Sequence, residues 1–189
     1  MVNLETLLSI LLGLSLAAAV GFRIFIPLLI MSLASQGGCL TLSSGFEWIG
    51  TIPALIVFTA AAGFEILAYF IPFVDNMLDT FAGPTAVIAG TIVMGSAIVE
   101  LDPLFKWTLT IIAGGGAAGL VQSLTTITRG VSTLSTAGLG NPVVSATETT
   151  AAVGISVLAT LFPMFIGIIV ILLLIWAAKK VYTKFATSN

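Results

Sequence analysis

The chain has 189 residues, of which 58% are hydrophobic and only 7% are charged, and its formal net charge is −2. A soluble domain carries about 25% charged residues, so this composition excludes a water-facing surface and predicts one integral membrane domain, residues 1–189. The sequence contains no histidine and no basic run, which excludes histidine-dependent hydrolases, histidine-ligated metals and nucleic acid as a partner. We expect a membrane protein that is not an enzyme, with membrane lipid around it and no cofactor.

Apolar segments of about 20 residues, the length that crosses a bilayer, recur along the chain. They are residues 6–34, 51–71, 83–100, 104–127, 142–162 and 164–180. We interpret the first as a retained span and not a signal peptide, because residues 1–22 contain no Lys or Arg. Only Pro163 separates the last two, without Gly or Asn turn chemistry, so 150–178 could be one long kinked helix. The fold class is therefore all-α and polytopic, with about six spans and five as the alternative.

An internal similarity favours six spans. The segment TAAAGFEILAYFIP (59–72) matches TAAVGISVLATLFP (150–163) at seven of fourteen positions, with Pro72 over Pro163. Two units of three spans, about 5–100 and about 104–184, would enter the membrane from opposite sides because three is odd. The sequence therefore predicts two inverted three-helix repeats, a plan found in many transporters.

Basic residues near the span ends predict the orientation. Lys179, Lys180 and Lys184 follow the last span, and Arg129 is expected on the same side, whereas Lys106 alone lies on the other side. The positive-inside rule then places both termini in the cytoplasm.

Two charged residues lie deep inside predicted spans. Arg23 lies 11 residues before Ala34, about 16 Å from that end, and Glu65 lies 14 residues into the second span, about 21 Å from the same side. Both depths are near the middle of a core about 30 Å thick. An unpaired charge there is costly, so we expect Arg23 to pair with Glu65. The pair either fixes helix register or lines a solute or proton path.

A second predicted pair lies toward the cytoplasm. Arg129 is expected to close the fourth span and Glu148 to lie six residues into the fifth. The stretch between them, 123–150, is rich in Ser and Thr, including Ser145, and would line a cavity, lie in protein or form a plain loop. Asn141 followed by Pro142 is typical of a helix N-cap, whose positive end would point into this region.

Two further patterns have ordinary structural readings beside functional ones. Asp75 and Asp79 are four residues apart and could bind a cation, although such sites need more ligands, and a solvated helix start is the alternative. Gly115 and Gly119 have the GxxxG spacing of close helix packing and lack the sequence of a phosphate-binding loop.

Three segments together resemble a known family. GFRIFIPLL (21–29), EILAYFIPFVDNMLD (65–79) and GLGNPVVSATE (138–148) are similar to signature segments of the uncharacterised membrane family catalogued as domain of unknown function 4126. The resemblance implies a small polytopic protein of a prokaryotic plasma membrane and no established activity. It points to Arg23, Glu65, Asp75, Asp79, Arg129, Pro142 and Glu148.

The leading functional hypothesis is a small transporter or channel for an ion or small solute. Arg23 and Glu65 would form a midplane gate, and Arg129, Glu148 and the Ser/Thr stretch a cytoplasmic vestibule. The alternative is a lipid-binding or scaffolding protein in which the ion pairs are structural and the glycines pack a homo-oligomer. A hydrated path that touches Arg23 and Glu65 would distinguish a transporter from a scaffold, and an enzyme acting on lipid headgroups is a third and weaker hypothesis.

Overall fold

The structure, a computed structural model, describes residues 3–69, 71–99 and 101–186, without the side chains of residues 72, 73, 75–77, 79, 181, 182 and 184–186. The described ranges are helical and contain no strand. The helices are α1 Leu4–Val20, α2 Phe25–Gln36, α3 Ile52–Ala68, α4 Pro72–Ala97, α5 Pro103–Leu109, α6 Gly116–Thr136, α7 Asn141–Leu161 and α8 Pro163–Ala186. A 3₁₀ turn, Glu47–Gly50, precedes α3, and a π-helical turn, Thr110–Gly115, joins α5 to α6.

Most of the helices suit a bilayer by length and composition. In the described ranges, the segments long and apolar enough to cross a membrane are Thr80–Ala97, Pro103–Thr136, Asn141–Leu161 and Pro163–Lys180. Helices α1, α2 and α3 are apolar but shorter. Large apolar side chains cover the outside, such as Leu134 with 89% of its surface exposed. Such a surface suits lipid and not water, so the chain is an integral membrane protein.

Capping side chains and prolines set where several helices begin. Thr51 Oγ1 accepts a hydrogen bond from the Ala54 N–H at 3.3 Å at the start of α3. Pro72 and Pro163, the aligned prolines of the predicted repeat, are the first residues of α4 and α8. Proline is favoured at this position because the N–H that it lacks would have no partner within the helix.

Helix α1 lies at the centre of the molecule and packs against α2, α4, α6, α7 and α8. Its residues from Leu16 to Val20 are almost completely buried. A helix that is apolar on all sides is expected in such a position. Small residues allow the neighbours to approach closely: Gly13 packs against Met94 of α4, and Gly167 of α8 packs against Leu11.

The predicted first span, 6–34, is two helices that fold back on each other. Gly13 of α1 lies against Met94 of α4. Met31 of α2 lies near the same level, since its sulfur accepts a weak hydrogen bond from Ser96 Oγ at 3.9 Å. Helix α2 therefore returns toward the end from which α1 came, and the prediction of one continuous span here is wrong.

Two predicted loops are also helical. Residues 72–83 belong to α4, and α6 continues through most of 128–142, so that only residues 137–140 form the turn to α7. The hydroxyl groups in this stretch donate to carbonyls one turn earlier, as Thr128 Oγ1 does to Leu124 O at 2.8 Å. Hydroxyls bonded in this way need no water, so the expected broken backbone is instead regular helix.

Residues 150–178 form parts of two helices and not one kinked helix. Thr147 of α7 and Ala177 of α8 line the same cavity. In one continuous helix they would lie about 45 Å apart, since each residue advances 1.5 Å. Helix α8 therefore folds back beside α7 after Phe162.

Helices α1 and α8 run in the same direction. Leu11 packs against Gly167, and the later residues Ala18 and Leu174 line one cavity. The amino end of α1 and the carboxyl end of α8 therefore lie at opposite ends of the helix bundle. The prediction that both termini are cytoplasmic rests on counting the α1–α2 hairpin as a single pass.

Helices α4 and α6, with the π turn before α6, approach each other closely at glycines. A Cβ on Gly114 would lie 2.8 Å from the carbonyl oxygen of Gly90. The two glycines expected to pack helices lie on the same face: a Cβ on Gly115 would lie 2.8 Å from Thr91 Oγ1, and one on Gly119 would lie 2.9 Å from Val87 Cγ2. Only residues without a side chain allow this separation.

Candidate functional site

Arg23 lies in the link between α1 and α2, at the tip of their hairpin. The residue is 1% exposed. Its Nε donates to Thr149 Oγ1 at 3.0 Å, and its Nη2 donates to the carbonyl oxygen of Ser145 at 3.0 Å and also to the Ser145 hydroxyl. These acceptors belong to the first half of α7, so the arginine ties the hairpin tip to that helix.

Glu148 of α7 binds two arginines. Its Oε1 accepts a hydrogen bond from Arg129 Nε at 3.2 Å, and its Oε2 forms a short contact with Arg129 Nη2. The same Oε2 lies 3.5 Å from Arg23 Nη2. The structure thus brings together Arg129 and Glu148, as the sequence predicts, and adds Arg23 to them. A carboxylate that is bidentate on one guanidinium and shared with a second is strongly held.

Tyr69, just after α3, packs against both arginines. The ring centroid lies 4.1 Å from Arg23 Cζ and 3.9 Å from Arg129 Cζ. A guanidinium over an aromatic face is attracted by the negative potential of the ring, more strongly where water is absent. Tyr69 therefore helps to hold two like charges near each other.

Glu65 of α3 caps α2 and does not pair with Arg23. Its Oε1 accepts the Ile24 N–H at 2.8 Å, and its Oε2 accepts the Phe25 N–H at 3.1 Å. The first N–H groups of a helix lack partners within the helix, and the positive end of the helix dipole favours a carboxylate there. The predicted Arg23–Glu65 pair is therefore wrong: in the described part of the chain, the ion pair of Arg23 is with Glu148.

We call Arg23, Glu65, Tyr69, Arg129 and Glu148 the central cluster; all are at least nine-tenths buried. Glu148 lies seven residues after the start of α7, and Arg129 seven residues before the end of α6. The cluster therefore lies about 10 Å below these helix ends. The α1–α2 hairpin reaches this depth and turns back, so its tip is buried in protein, the setting in which irregular backbone is tolerated at membrane depth.

Asn141 lies at the end of the same helix pair. It is the first residue of α7, with Gly140 in the cap position. Its side-chain Nδ2 donates to Thr133 Oγ1 of α6 at 3.0 Å. Asn141 thus links α6 to α7 near their turn, about 10 Å from Glu148 along α7.

Two cavities reach the central cluster from different sides. The first, about 530 Å³, lies between α6, α7 and α8 and is lined by Glu148 together with apolar residues such as Ile155 and Leu174. The second, about 390 Å³, lies between α3 and α4 and is lined by Glu65 and Tyr69 together with apolar residues. We call them the α7–α8 cavity and the α3–α4 cavity.

The side chains of the predicted cation-binding pair lie outside the described residues. Both residues of the pair, Asp75 and Asp79, lie on α4. Among the residues that are described, no group of three or more His, Cys, Asp or Glu side chains is placed to hold a metal ion.

Sequence reasoning missed two members of the site, Tyr69 and Thr149. Tyr69 is four residues after Glu65, and Thr149 is four residues after Ser145. Residues four apart share a helix face, so an aromatic or hydroxyl side chain one turn beyond a buried polar residue was the signal that could have found them.

Comparison with family models gives a match to the family described as "Domain of unknown function (DUF4126)", over residues 10–183. Comparisons with curated proteins and with solved structures gave no match. The family match covers the hairpin from Ile10 onward, the central cluster and both cavities.

Proposed function

The chain belongs to the DUF4126 family, a domain of unknown function, and we propose that it is a small membrane transporter for an ion or small solute. The observation that carries the proposal is the central cluster at the tip of the α1–α2 hairpin. Ionisable residues inside a membrane are costly and commonly mark a solute pathway. Broken helices that meet at membrane depth are a common way in which transporters build their binding sites.

The two cavities support the same proposal. Glu148 lines the α7–α8 cavity, and Glu65 and Tyr69 line the α3–α4 cavity. Between them, Glu148 is bonded to Arg23 and Arg129, and the Tyr69 ring packs against both arginines. We propose that this bonded state is the closed state of the protein. When Glu148 gives up its contacts with Arg23 and Arg129, one of the two cavities becomes connected to these arginines.

Helix directions support a modified form of the inverted repeat. Helix α3 runs opposite to α2, since Glu65 near its end binds Ile24 and the preceding Gly50 lies against Ser35. Helix α7 runs opposite to α6, since Arg129 binds Glu148 and Thr133 binds Asn141. We propose that α2–α3–α4 and α6–α7–α8 are the inverted units, with α1 as an additional central helix.

The orientation follows from the basic residues. Lys179 and Lys180 lie at the end of α8, on the same side as the turn between α6 and α7. By the positive-inside rule this end is cytoplasmic, and the amino end of α1 is then on the other side of the plasma membrane.

Flux through proteoliposomes tests the proposal. Chloride, acetate, phosphate, potassium and glycerol would be supplied in turn to liposomes that contain the purified protein, and their uptake measured by light scattering or isotope. We expect at least one to enter faster than into protein-free liposomes. Glu148→Gln is expected to change that rate by about tenfold, the scale of a typical coupling between sites.

A matched control is Glu47→Gln, which alters an exposed carboxylate in the turn before α3 and should leave the flux unchanged. If no probe enters faster than into protein-free liposomes while the protein remains folded, the transport proposal fails. An equal change of the flux rate in both variants would contradict the proposal that Glu148 lies on the transport pathway.

A lipid-handling protein is the second candidate, and the apolar lining of both cavities favours it. Transfer of a fluorescent phospholipid between the leaflets of the same proteoliposomes tests this candidate. Transfer faster than in protein-free liposomes, slowed by filling the α7–α8 cavity with Ala151→Phe, would favour lipid handling over solute transport.

A further inference from the structure

The α7–α8 cavity is about as long as the acyl-chain region of one membrane leaflet. Its lining on α7 extends from Val143 to Ile155, a rise of about 18 Å at 1.5 Å per residue. The hydrocarbon core of a bilayer is about 30 Å thick, so each leaflet supplies about 15 Å of it. The cavity therefore matches in length the apolar part of a lipid from a single leaflet.

The polar groups in the lining of this cavity already have partners within the protein. Glu148 is bonded to Arg129. The hydroxyl groups of Thr125, Thr128 and Thr147 each donate to a carbonyl of their own helix. The rest of the lining is hydrophobic, and α8 contributes Val170, Leu173, Leu174, Trp176 and Ala177. Because these polar groups need no polar occupant, the cavity suits a hydrocarbon chain.

The cavity opens at the end of the bundle where α7 begins. Val143, two residues after the start of α7, lines the cavity and is 69% exposed. On α8, the lining residues nearest this end are Trp176 and Ala177. Lys180 follows Ala177 by three residues on the same helix face, and its Nζ lies 4.9 Å from the centroid of the Trp176 ring. A positive charge therefore lies at the mouth of the cavity.

The lysines at this mouth have no negative charge of their own to bind. Lys179 and Lys180 are exposed, and neither forms an ion pair with an acidic side chain in the described ranges. Tryptophan beside such lysines is typical of the level of the lipid headgroups. Basic pockets between membrane helices on the cytoplasmic side bind negatively charged headgroups.

We propose that the α7–α8 cavity binds one phospholipid with a negatively charged headgroup, taken from the cytoplasmic leaflet. One acyl chain lies in the cavity between α7 and α8, and the headgroup phosphate contacts Lys179 and Lys180. The lipid stays in its leaflet, so the site requires neither solute flux nor transfer of lipid between leaflets. Only the name of the leaflet depends on the proposed orientation.

Quenching of Trp176 fluorescence tests the site. Trp48→Phe and Trp107→Phe together leave Trp176 as the only tryptophan, and the protein is placed in phosphatidylcholine nanodiscs. A rising fraction of the lipid is replaced by phosphatidylglycerol, or in a second series by phosphatidylcholine, with bromine as a quencher on its acyl chains. We expect half-maximal quenching at a fraction about fivefold lower for phosphatidylglycerol, the ratio that one lysine supplies beside a negatively charged headgroup.

Two sets of substitutions locate the headgroup and the chain. Lys179→Gln with Lys180→Gln should make the two brominated lipids equivalent, because the headgroup loses both cations. Ala151→Phe fills the cavity from α7 and should also remove the preference, because the chain can no longer enter. Lys106→Gln removes the same charge at the other end of the bundle and should leave the preference at Trp176 unchanged.

A protein with Trp107 as its only tryptophan is the matched control. Trp107 lies beside Lys106 and packs against Phe46 in the loop between α2 and α3, and Lys106 is bonded to Ser43. Since Trp107 does not line the α7–α8 cavity, the two brominated lipids should quench it equally. If the double tryptophan variants do not fold, the difference in quenching between the wild type and Trp176→Phe gives the signal of Trp176.

The inference is overturned if phosphatidylglycerol has no advantage at Trp176, if the advantage survives in the double lysine variant or in Ala151→Phe, or if Trp107 shows it equally. Its failure can be told apart from failure of the transport proposal. A preference for phosphatidylglycerol without any flux would keep the lipid site and remove transport, whereas flux without the preference would remove this inference alone.

Discussion

A permanent positive charge is tolerated at position 23 because most of the Arg23 guanidinium lies against a hydrogen-bond acceptor or an aromatic ring. Arg23 contacts the carboxylate of Glu148, the hydroxyl of Thr149 and the backbone of Ser145, and it lies over the Tyr69 ring. An unpaired charge at the centre of a membrane helix costs roughly 2.5–3.5 kcal/mol or more. The placement of Arg23 therefore depends on α7, and a substitution at its contacts on α7 is expected to destabilise the tip of the α1–α2 hairpin.

Glu65 gives the first prediction at this scale. Its two oxygens accept two backbone N–H groups of α2, and Glu65→Gln replaces one acceptor with an NH₂ donor. One buried N–H then faces another donor, so we expect a loss of about 1–3 kcal/mol of stability. Unfolding of the purified protein by increasing SDS would measure the loss.

Glu47→Gln is the matched control, because Glu47 uses a single oxygen to accept the Gly45 N–H at an exposed turn. Glutamine retains that acceptor, so the change should stay within about 0.5 kcal/mol. Equal stability of the two variants would contradict the capping role of Glu65.

The sequence identified four of the five cluster residues but not their partners. Charge in an apolar segment is enough to single out Arg23, Glu65, Arg129 and Glu148. Which acid meets which base depends on how the helices turn, and the turn between α1 and α2 was missed. With α1–α2 read as one span, Glu65 was the carboxylate expected at the depth of Arg23; in the hairpin, Glu65 lies against the backbone instead.

At the scale of the elements, the missed hairpin had a signal in the sequence. Residues 6–34 would form a helix of about 44 Å, longer than the roughly 30 Å of a bilayer core. Pro27 is the third residue of α2. Proline is tolerated in the first turn of a helix and disrupts its interior, so a new helix starting shortly before Pro27 was the better interpretation.

The extent of α6 could not be predicted by the same means. Ser, Thr and Gly are common in loops, so residues 128–142 look like one. In the structure, hydroxyls bond to carbonyls of their own helix, as Thr136 does to Ser132 O at 2.7 Å. Packing of Arg129 on α7 then keeps this stretch helical, a tertiary contact that local composition does not encode.

The close approach at Gly114, in the π turn before α6, gives the second prediction. A Cβ at this position would lie 2.8 Å from the Gly90 carbonyl oxygen and 2.8 Å from Met94 Cβ. Gly114→Ala must therefore push α4 away, and we expect it to cost about 1–3 kcal/mol, the usual cost of overpacking. The midpoint of SDS unfolding would report it.

Gly116, two residues later, is the control, since a Cβ there meets nothing within 4 Å. Gly116→Ala should be neutral or slightly stabilising, because alanine favours a helix more than glycine does. Equal effects of the two substitutions would show that α4 and α6 are not in close contact at Gly114.

At the scale of the whole molecule, the α1–α2 hairpin determines at which end of the helix bundle each connecting segment lies. Helix α1 comes from one side and α2 returns to it, so the loop that contains Cys39 lies on the side of the amino end. Helices α6 and α7 meet at the opposite side, around Leu139, where α8 also ends. The inverted units predicted from the sequence included α1, whereas the units that we propose from the helix directions leave it outside them as a central element.

Accessibility of single cysteines tests this arrangement. Cys39 is exposed, and Leu139 is 85% exposed. In intact cells or oriented vesicles, a membrane-impermeant maleimide should label native Cys39 and Asn3→Cys from one side, and Leu139→Cys and Lys180→Cys from the other. The three introduced cysteines are made in a Cys39→Ser background, and detergent permeabilisation serves as the control that each is reactive. If Asn3→Cys and Lys180→Cys react from the same side, α1 and α8 are not parallel across the membrane, and the re-entrant hairpin that places Arg23 against Glu148 is contradicted.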